Sequence, residues 1–332
     1  MEKEIKNNRA NWPLRTLRLR YRLGKSWDRL VGRESGLDMS TMTDFYKRTW
    51  SEAARELGAG FTEVAEGLWK VSTPEKTTLI NNYVVQIDDP VVLNIAGNKS
   101  ICYRILKEAG LTVPENLTYT VDAIDAAEDF VLARKGSCFV VKPSAGTSGG
   151  RGITTHLKTF KECLKASVLA SLYSRELIIE RLVPGESFRL LVLDGQMILA
   201  SRRKGLWITG NGTSTAKELA GKAAKSGAAP DAPVTEEDRD LEATLAAQGL
   251  AAGSVLRAGE TVLAKSVKGR TGRYVEVRTA YDEDATGLIC PELKKEAESA
   301  AAAMGTRFAG IDIVTIDPSV PLKRSGGAIV EV

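Results

Sequence analysis

The segment Phe139-Val140-Val141-Lys142-Pro143-Ser144-Ala145-Gly146-Thr147-Ser148-Gly149-Gly150-Arg151-Gly152-Ile153 decides how the rest of the chain is read. An apolar run ends in a lysine and opens into a loop with glycines at 146, 149, 150 and 152. Where Cβ atoms are missing, backbone N–H groups can close on an anion, and Lys142 adds a point charge at the base of the loop. That is chemistry for holding phosphates. A Walker A loop would place Gly-Lys-Ser/Thr at the start of a helix. Here the lysine comes before the glycines, and a second β-rich stretch, Ile153-Thr154-Thr155, follows. The order predicts a hairpin flap over a polyphosphate; taken alone, the segment also fits a glycine-rich surface turn.

Working outward, the flap strand over 138–142 lies between a helix predicted at Ala123 to Lys135 and another from Thr159 to about Tyr173. Upstream, Asn98-Lys99-Ser100 opens a helix with Ile101, Ile105, Leu106 and Ala109 on one face, closed by Gly110. Before that, Phe45, Thr49, Ala53 and Leu57 recur at helical spacing. Four short β-type segments follow, Phe61 to Ala65, Leu68 to Ser72, Thr77 to Ile80 and Tyr83 to Ile87. Downstream come the strand Leu177 to Glu180 and a hairpin of Phe188 to Leu193 with Gln196 to Ser201, turning at Asp194-Gly195. An Ala/Gly/Lys-rich region covers 216–233. Strands are predicted at Thr261 to Val267 and Tyr274 to Thr279, a helix from Pro291 to about Met304, and final strands at Ala309 to Ile316 and Ala328 to Val332. The fold class is α+β. The units are a basic arm over 1–43, a small α/β lead-in over 44–97, a flap-bearing subdomain over 98–176 and a carboxyl-terminal subdomain over 177–332.

Composition narrows the class of protein. A chain of 332 residues with 43% hydrophobic content can bury a sizeable core, which excludes a disorder-dominated reading. Cys102, Cys138, Cys163 and Cys290 show no C-x-x-C spacing, so reduced thiols and a cytoplasmic setting are expected. No apolar run approaches the ~20 residues that cross a bilayer. Residues 1–33 hold ten Lys or Arg against three Asp or Glu, so the net charge of +4 resides in the arm and the remainder is slightly acidic. The arm fits a solvated or self-packed segment better than a docking element, and no nucleic-acid module follows it.

Two acids stand in otherwise apolar strands: Asp312 in Ile311-Asp312-Ile313 and Glu331 in Val330-Glu331-Val332. Burying a carboxylate among β-branched residues costs several kcal/mol unless a cation meets it, and a divalent metal is a natural partner. If the two strands pair antiparallel, both acids can face one Mg2+ bridging nucleotide phosphates; the other reading puts both in water on an edge strand. Lys99 and Lys142 can reach one triphosphate. Glu180, ending its strand ahead of Pro184-Gly185, suits a hinge against an adenine edge, with Glu186 near the sugar. Arg189, Arg202, Arg203, Arg270 and Arg273 are candidates for carboxylate or phosphoryl oxygens because the guanidinium fork binds such oxygens bidentately. His156 reads as structural or exposed.

From Asn98 onward, the order of these segments resembles the ATP-grasp superfamily, in particular cyanophycin synthetase-like and D-Ala-D-Ala ligase-like carboxylate–amine ligases. The likeness runs through Asn98-Lys99-Ser100, Val113-Pro114, Val140-Val141-Lys142-Pro143, the glycine loop, Ile179-Glu180-Arg181 with Pro184-Gly185, and Arg189-Leu190-Leu191-Val192. It continues through Gly210-Asn211-Gly212 and both acid-bearing strands. It implies an ATP-grasp fold, two α+β subdomains clasping ATP. It also implies ATP with Mg2+, or Mn2+ in its place, and amide formation through an acyl phosphate on amino-acid or peptide substrates. Lys99, Lys142, Gly146, Thr147, Ser148, Gly149, Gly150, Gly152, Glu180, Arg181, Leu182, Val183 and Glu186 then hold the nucleotide. Asp312 and Glu331 hold the metal, and Lys142, Arg202 and Arg270 serve the chemistry. A homodimer is the assembly the resemblance suggests. The family's pattern places an Asn two residues beyond Glu331, a position after Val332; the alternative reading is therefore a catalytically incomplete ATP-binding protein or a fragment of a larger ligase.

Overall fold

The computed structural model describes residues 16, 19, 39–146, 152–226, 239–246, 248–265 and 282–332. Among these, the strands form four sheets whose pairings are all antiparallel. The lead-in is helix α1 (Met39–Glu56) followed by the meander β1 (Gly60–Ala65), β2 (Leu68–Ser72), β3 (Thr77–Asn81) and β4 (Val84–Val85). Trp69 is fully buried there. A short helix not anticipated from the sequence, α2 (Pro90–Ala96), leads to α3 (Lys99–Glu108). Asn98 starts α3 by accepting the Ser100 and Ile101 N–H groups on its side-chain oxygen at 3.1 and 3.2 Å.

The flap sheet has the order β5 (Asn116–Thr120), β8 (Glu176–Arg181), β6 (Phe139–Pro143), β7 (Thr154–Leu157). Helices α4 (Ile124–Leu132) and α5 (Phe160–Ala170) cover one face, and a Thr159/Glu162 capping box starts α5. Alternation divides β6: Phe139 and Val141 join the apolar core under these helices with Leu177 and Ile179, which turns Val140 and Lys142 to the other face beside Ile178 and Glu180.

The second large sheet has the order β13 (Glu283–Asp284), β10 (Gln196–Arg203), β9 (Glu186–Leu193), β14 (Phe308–Thr315), β15 (Ala328–Glu331). The β9–β10 turn is Asp194-Gly195, both at positive φ (47° and 78°), as the sequence pattern predicts. Helix α8 (Pro291–Met304) packs on this sheet, opened by Pro291 and closed by left-handed Gly305. Phe188, Leu190, Val192, Leu293, Ile311 and Ile313 form its core, where truncating one large side chain costs about 2–5 kcal/mol. A third unit packs β11 (Leu206–Thr209) and β12 (Thr261–Lys265) against α6 (Ala216–Ser226) and α7 (Arg239–Ala246). A four-residue helix, α9 (Leu322–Ser325), precedes β15.

Two expected boundaries move. Strand 177–180, expected to open the carboxyl-terminal subdomain, is the middle of β8 and pairs with β5 and β6 in the flap sheet. Helix α3, expected with the flap, buries Cys102 and Leu106 in the carboxyl-terminal core. Sequence adjacency does not reveal either exchange, because apolar faces choose partners in space. The crossover after β8 runs through Gly185 at φ +123°, where an added Cβ would come within 2.2 Å of the Thr315 backbone. Only glycine allows that approach. The strand predicted over 274–279 lies outside the described residues.

Candidate active site

Three elements converge on Lys142. Its Nζ lies 2.8 Å from Glu180 Oε2 on the neighbouring strand and donates to the Tyr103 hydroxyl of α3 at 2.7 Å. That hydroxyl is 2.9 Å from the same Glu180 Oε2 and 3.0 Å from the Val330 carbonyl of β15. All three side chains are buried, and Nζ stands 5.0 Å from the Tyr103 ring centroid. Burial drives the Tyr103 phenol well above its ordinary pKa, and the neighbouring charge of Glu180 pushes the same way, so the hydroxyl keeps its proton.

Beside this group, Lys99 Nζ, itself buried, pairs with Glu331 Oε1 at 2.9 Å. Burial acts to raise the Glu331 pKa. The charge and hydrogen bond of Lys99, with the charges of Lys142 and Arg189, outweigh it and hold the carboxyl below its ordinary value. Lys99 and the two more distant cations together keep Glu331 ionised. The Lys99 N–H donates to Ser144 O at 2.8 Å, while Ser144 Oγ lies 2.7 Å from Glu176 Oε2 and 3.1 Å from Asn98 Oδ1. The base of the flap is thus tied to the start of α3.

Asp312 is the Cα partner of Glu331 across β14 and β15, so the pairing expected from the sequence is present. On its other side Asp312 pairs with Arg189. Arg189 Nε and Nη2 reach its two oxygens at 2.6 and 3.0 Å, and Arg203 from β10 adds contacts at 3.0 and 3.1 Å. A carboxylate has about four lone-pair sites, and four guanidinium nitrogens meet them. Among the described residues no group of three or more His, Cys, Asp or Glu side chains is gathered; Asp312 and Glu331 stand as a pair.

Other expected positions lie elsewhere. Arg202 follows the opposite face of β10 from Arg203 and engages Glu283 at 2.6 Å and Glu186 at 3.3 Å. Both acids are exposed. In the hinge, the Arg181 N–H donates to Glu115 O and the Leu182 N–H to Cys138 O, each at 2.8 Å, so the backbone there is fastened to the flap sheet. Gly146 and Gly152 flank the flap at φ +75° and +74°. Thr147, Ser148, Gly149, Gly150, Arg270 and Arg273 lie outside the described residues. His156 is exposed, as expected. Sequence reasoning missed Tyr103, although its place four residues after Lys99 puts both on one helix face.

No family model matches the chain. It is 31% identical over 247 residues to a cyanophycin synthetase of Synechocystis sp., a match covering 72% of this chain and 27% of that protein. A glutathione biosynthesis bifunctional protein of Enterococcus faecalis is 31% identical over 250 residues, covering 71% of this chain and 31% of the relative. The chain thus spans less than a third of the length of either. The crystal structure of a bifunctional glutathione synthetase from Pasteurella multocida superposes with a TM-score of 0.56 at 20% identity, covering 82% of this chain and 37% of that one.

Proposed function

Starting from a chain that has the ATP-grasp fold, we propose that it is the nucleotide-binding and ligating part of an ADP-forming carboxylate–amine ligase. Its substrates would be amino acids or short peptides, with ATP and Mg2+, or Mn2+ in its place. The observation that carries this reading is the convergence of two buried lysines, Lys99 and Lys142, with the facing acids Asp312 and Glu331. Every one of these charges is neutralised by an internal partner that a bound polyanion and its metal can replace.

The donor set fits Mg2+, a hard cation that uses one or two carboxylates and completes its shell with phosphates and water. Glu331, 40% exposed and held by one lysine, offers an accessible oxygen, and Asp312 joins by releasing one guanidinium fork. Bound there, the metal would neutralise phosphate charge. Lys142 and Lys99 then exchange Glu180 and Glu331 for phosphate oxygens. The substrate carboxylate attacks the γ-phosphorus, ADP leaves, and the amine displaces phosphate from the acyl carbon. Arg189 and Arg203, on the Asp312 face, are better placed for the transferring charge than Arg202; Arg270 is assigned from sequence alone. So are the loop from Gly146 to Gly152 as a cover that keeps water from the acyl phosphate, residues 180–183 as the adenine hinge and Glu186 at the ribose. A cytoplasmic homodimer completes the proposal.

The test is amine-dependent ADP release with pooled amino acids, Mg2+ and ATP. Lys142→Ala should lower it at least about 100-fold, as removal of a charge-stabilising donor does; an unchanged rate overturns the reading. The filled coordination of Asp312 favours one alternative, a protein that binds ATP without turning it over. Retained ATP binding with no ADP from any amine would identify it.

A further inference from the structure

Tyr103 has no part in the assignments above, yet its hydroxyl is where α3, the flap sheet and β15 meet. Its single hydrogen has two acceptors within 3.0 Å, Glu180 Oε2 and the Val330 carbonyl. Lys142 has three N–H donors, and within the protein it meets Glu180 Oε2 and the Tyr103 oxygen. If Lys142 left Glu180 for a phosphate with no replacement, a buried carboxylate would lose its main partner, which is costly.

We infer that Tyr103 is a positioning residue that lets Lys142 pass from Glu180 to a polyphosphate. With Lys142 on Glu180, the hydroxyl hydrogen points to Val330 O; when the ammonium turns to phosphate, the hydroxyl rotates to Glu180 Oε2 and takes its place. No proton changes owner, only the hydroxyl rotor moves. Because the second acceptor belongs to β15, the exchange also couples lysine release to the strand that carries Glu331. The inference rests on the ligase reading only in taking Lys142 as the phosphate-binding lysine.

Tyr103→Phe removes the hydroxyl and keeps the ring under Lys142. Calorimetry on the full chain with MgATP and with adenosine separates the two roles, with near-ultraviolet circular dichroism confirming an intact core. The expected result is about tenfold weaker MgATP binding, equivalent to about 1.4 kcal/mol, with adenosine affinity kept within about twofold. Adding Glu180→Gln to Tyr103→Phe should recover most of the MgATP loss relative to adenosine, since the neutral amide holds Lys142 weakly. Equal losses for both ligands, no loss, or no recovery overturns the inference. Should the unaltered protein bind neither ligand, the ligase reading fails by itself. Acetic anhydride labelling read by mass spectrometry then decides the role of Tyr103. Lys142 in Tyr103→Phe should react about threefold more slowly relative to exposed Lys47, because an undivided ion pair masks its amine; an unchanged or faster rate overturns it.

Discussion

Asp312 and Glu331 face each other across two paired strands, yet one carboxylate is closed by two guanidinium forks at 4% exposure while the other carries one lysine at 40%. The difference follows from their places in the sheet. β14 lies between β9 and β15, so arginines from β9 and β10 reach across to Asp312. β15 is the edge strand, and the Glu331 partner has to come from helix α3. One acid is closed off by the two arginines it holds; the other keeps a single cation and an open side.

The comparison breaks most readily at Asp312. Asp312→Asn removes the buried carboxylate charge that both guanidinium forks share and should destabilise the fold by about 3 kcal/mol, seen as a lower urea midpoint with unchanged m-value. A loss below about 1 kcal/mol would mean the forks do not anchor the sheet.

Glu331→Gln should cost only about 1 kcal/mol by the same measurement, because water already reaches that carboxylate. Its effect on MgATP turnover should be far larger than its effect on stability. A stability loss matching that of Asp312→Asn would erase the distinction between the closed acid and the open one.

The smallest effect sharpens the contrast through pH. The Glu331 pKa is depressed on folding, so its stabilisation is present above the ordinary glutamate value of 4.5 and is lost as pH falls through the lower folded value. The stability gap between the unaltered protein and Glu331→Gln should therefore hold steady from neutral pH to near 4.5, then close as the pH drops further. A gap that widened on acidification would contradict Lys99 as the controlling charge.

Much of the scaffold could be read locally. Pro291 and Gly305 bracket α8, Asp194-Gly195 turns the β9–β10 hairpin, and Asn98 starts α3, each through backbone preferences that a few neighbouring residues determine. β5 and β11 were missed although Asn116 to Thr120 alternates polar and apolar residues, because runs of five and four residues are too short to stand out and gain their conformation from a partner, here β8 and β12. Among the candidate site residues, the antiparallel facing of Asp312 and Glu331 followed from their positions in two apolar strands. Tyr103, Ser144 and the Arg203 fork on Asp312 did not, because nothing in their own sequence neighbourhoods names the distant groups they touch.

The chain by itself determined a glycine-rich loop behind a lysine, a pair of acid-bearing apolar strands, and most helix ends and turns, since these depend on torsional preference and on side-chain alternation a few residues long. Only the tertiary structure decided that α3 packs with the carboxyl-terminal sheet, that β8 belongs to the flap sheet, and which cation meets which acid. Those outcomes depend on where buried charges from distant segments find compensation, and desolvation makes that a property of the assembled core.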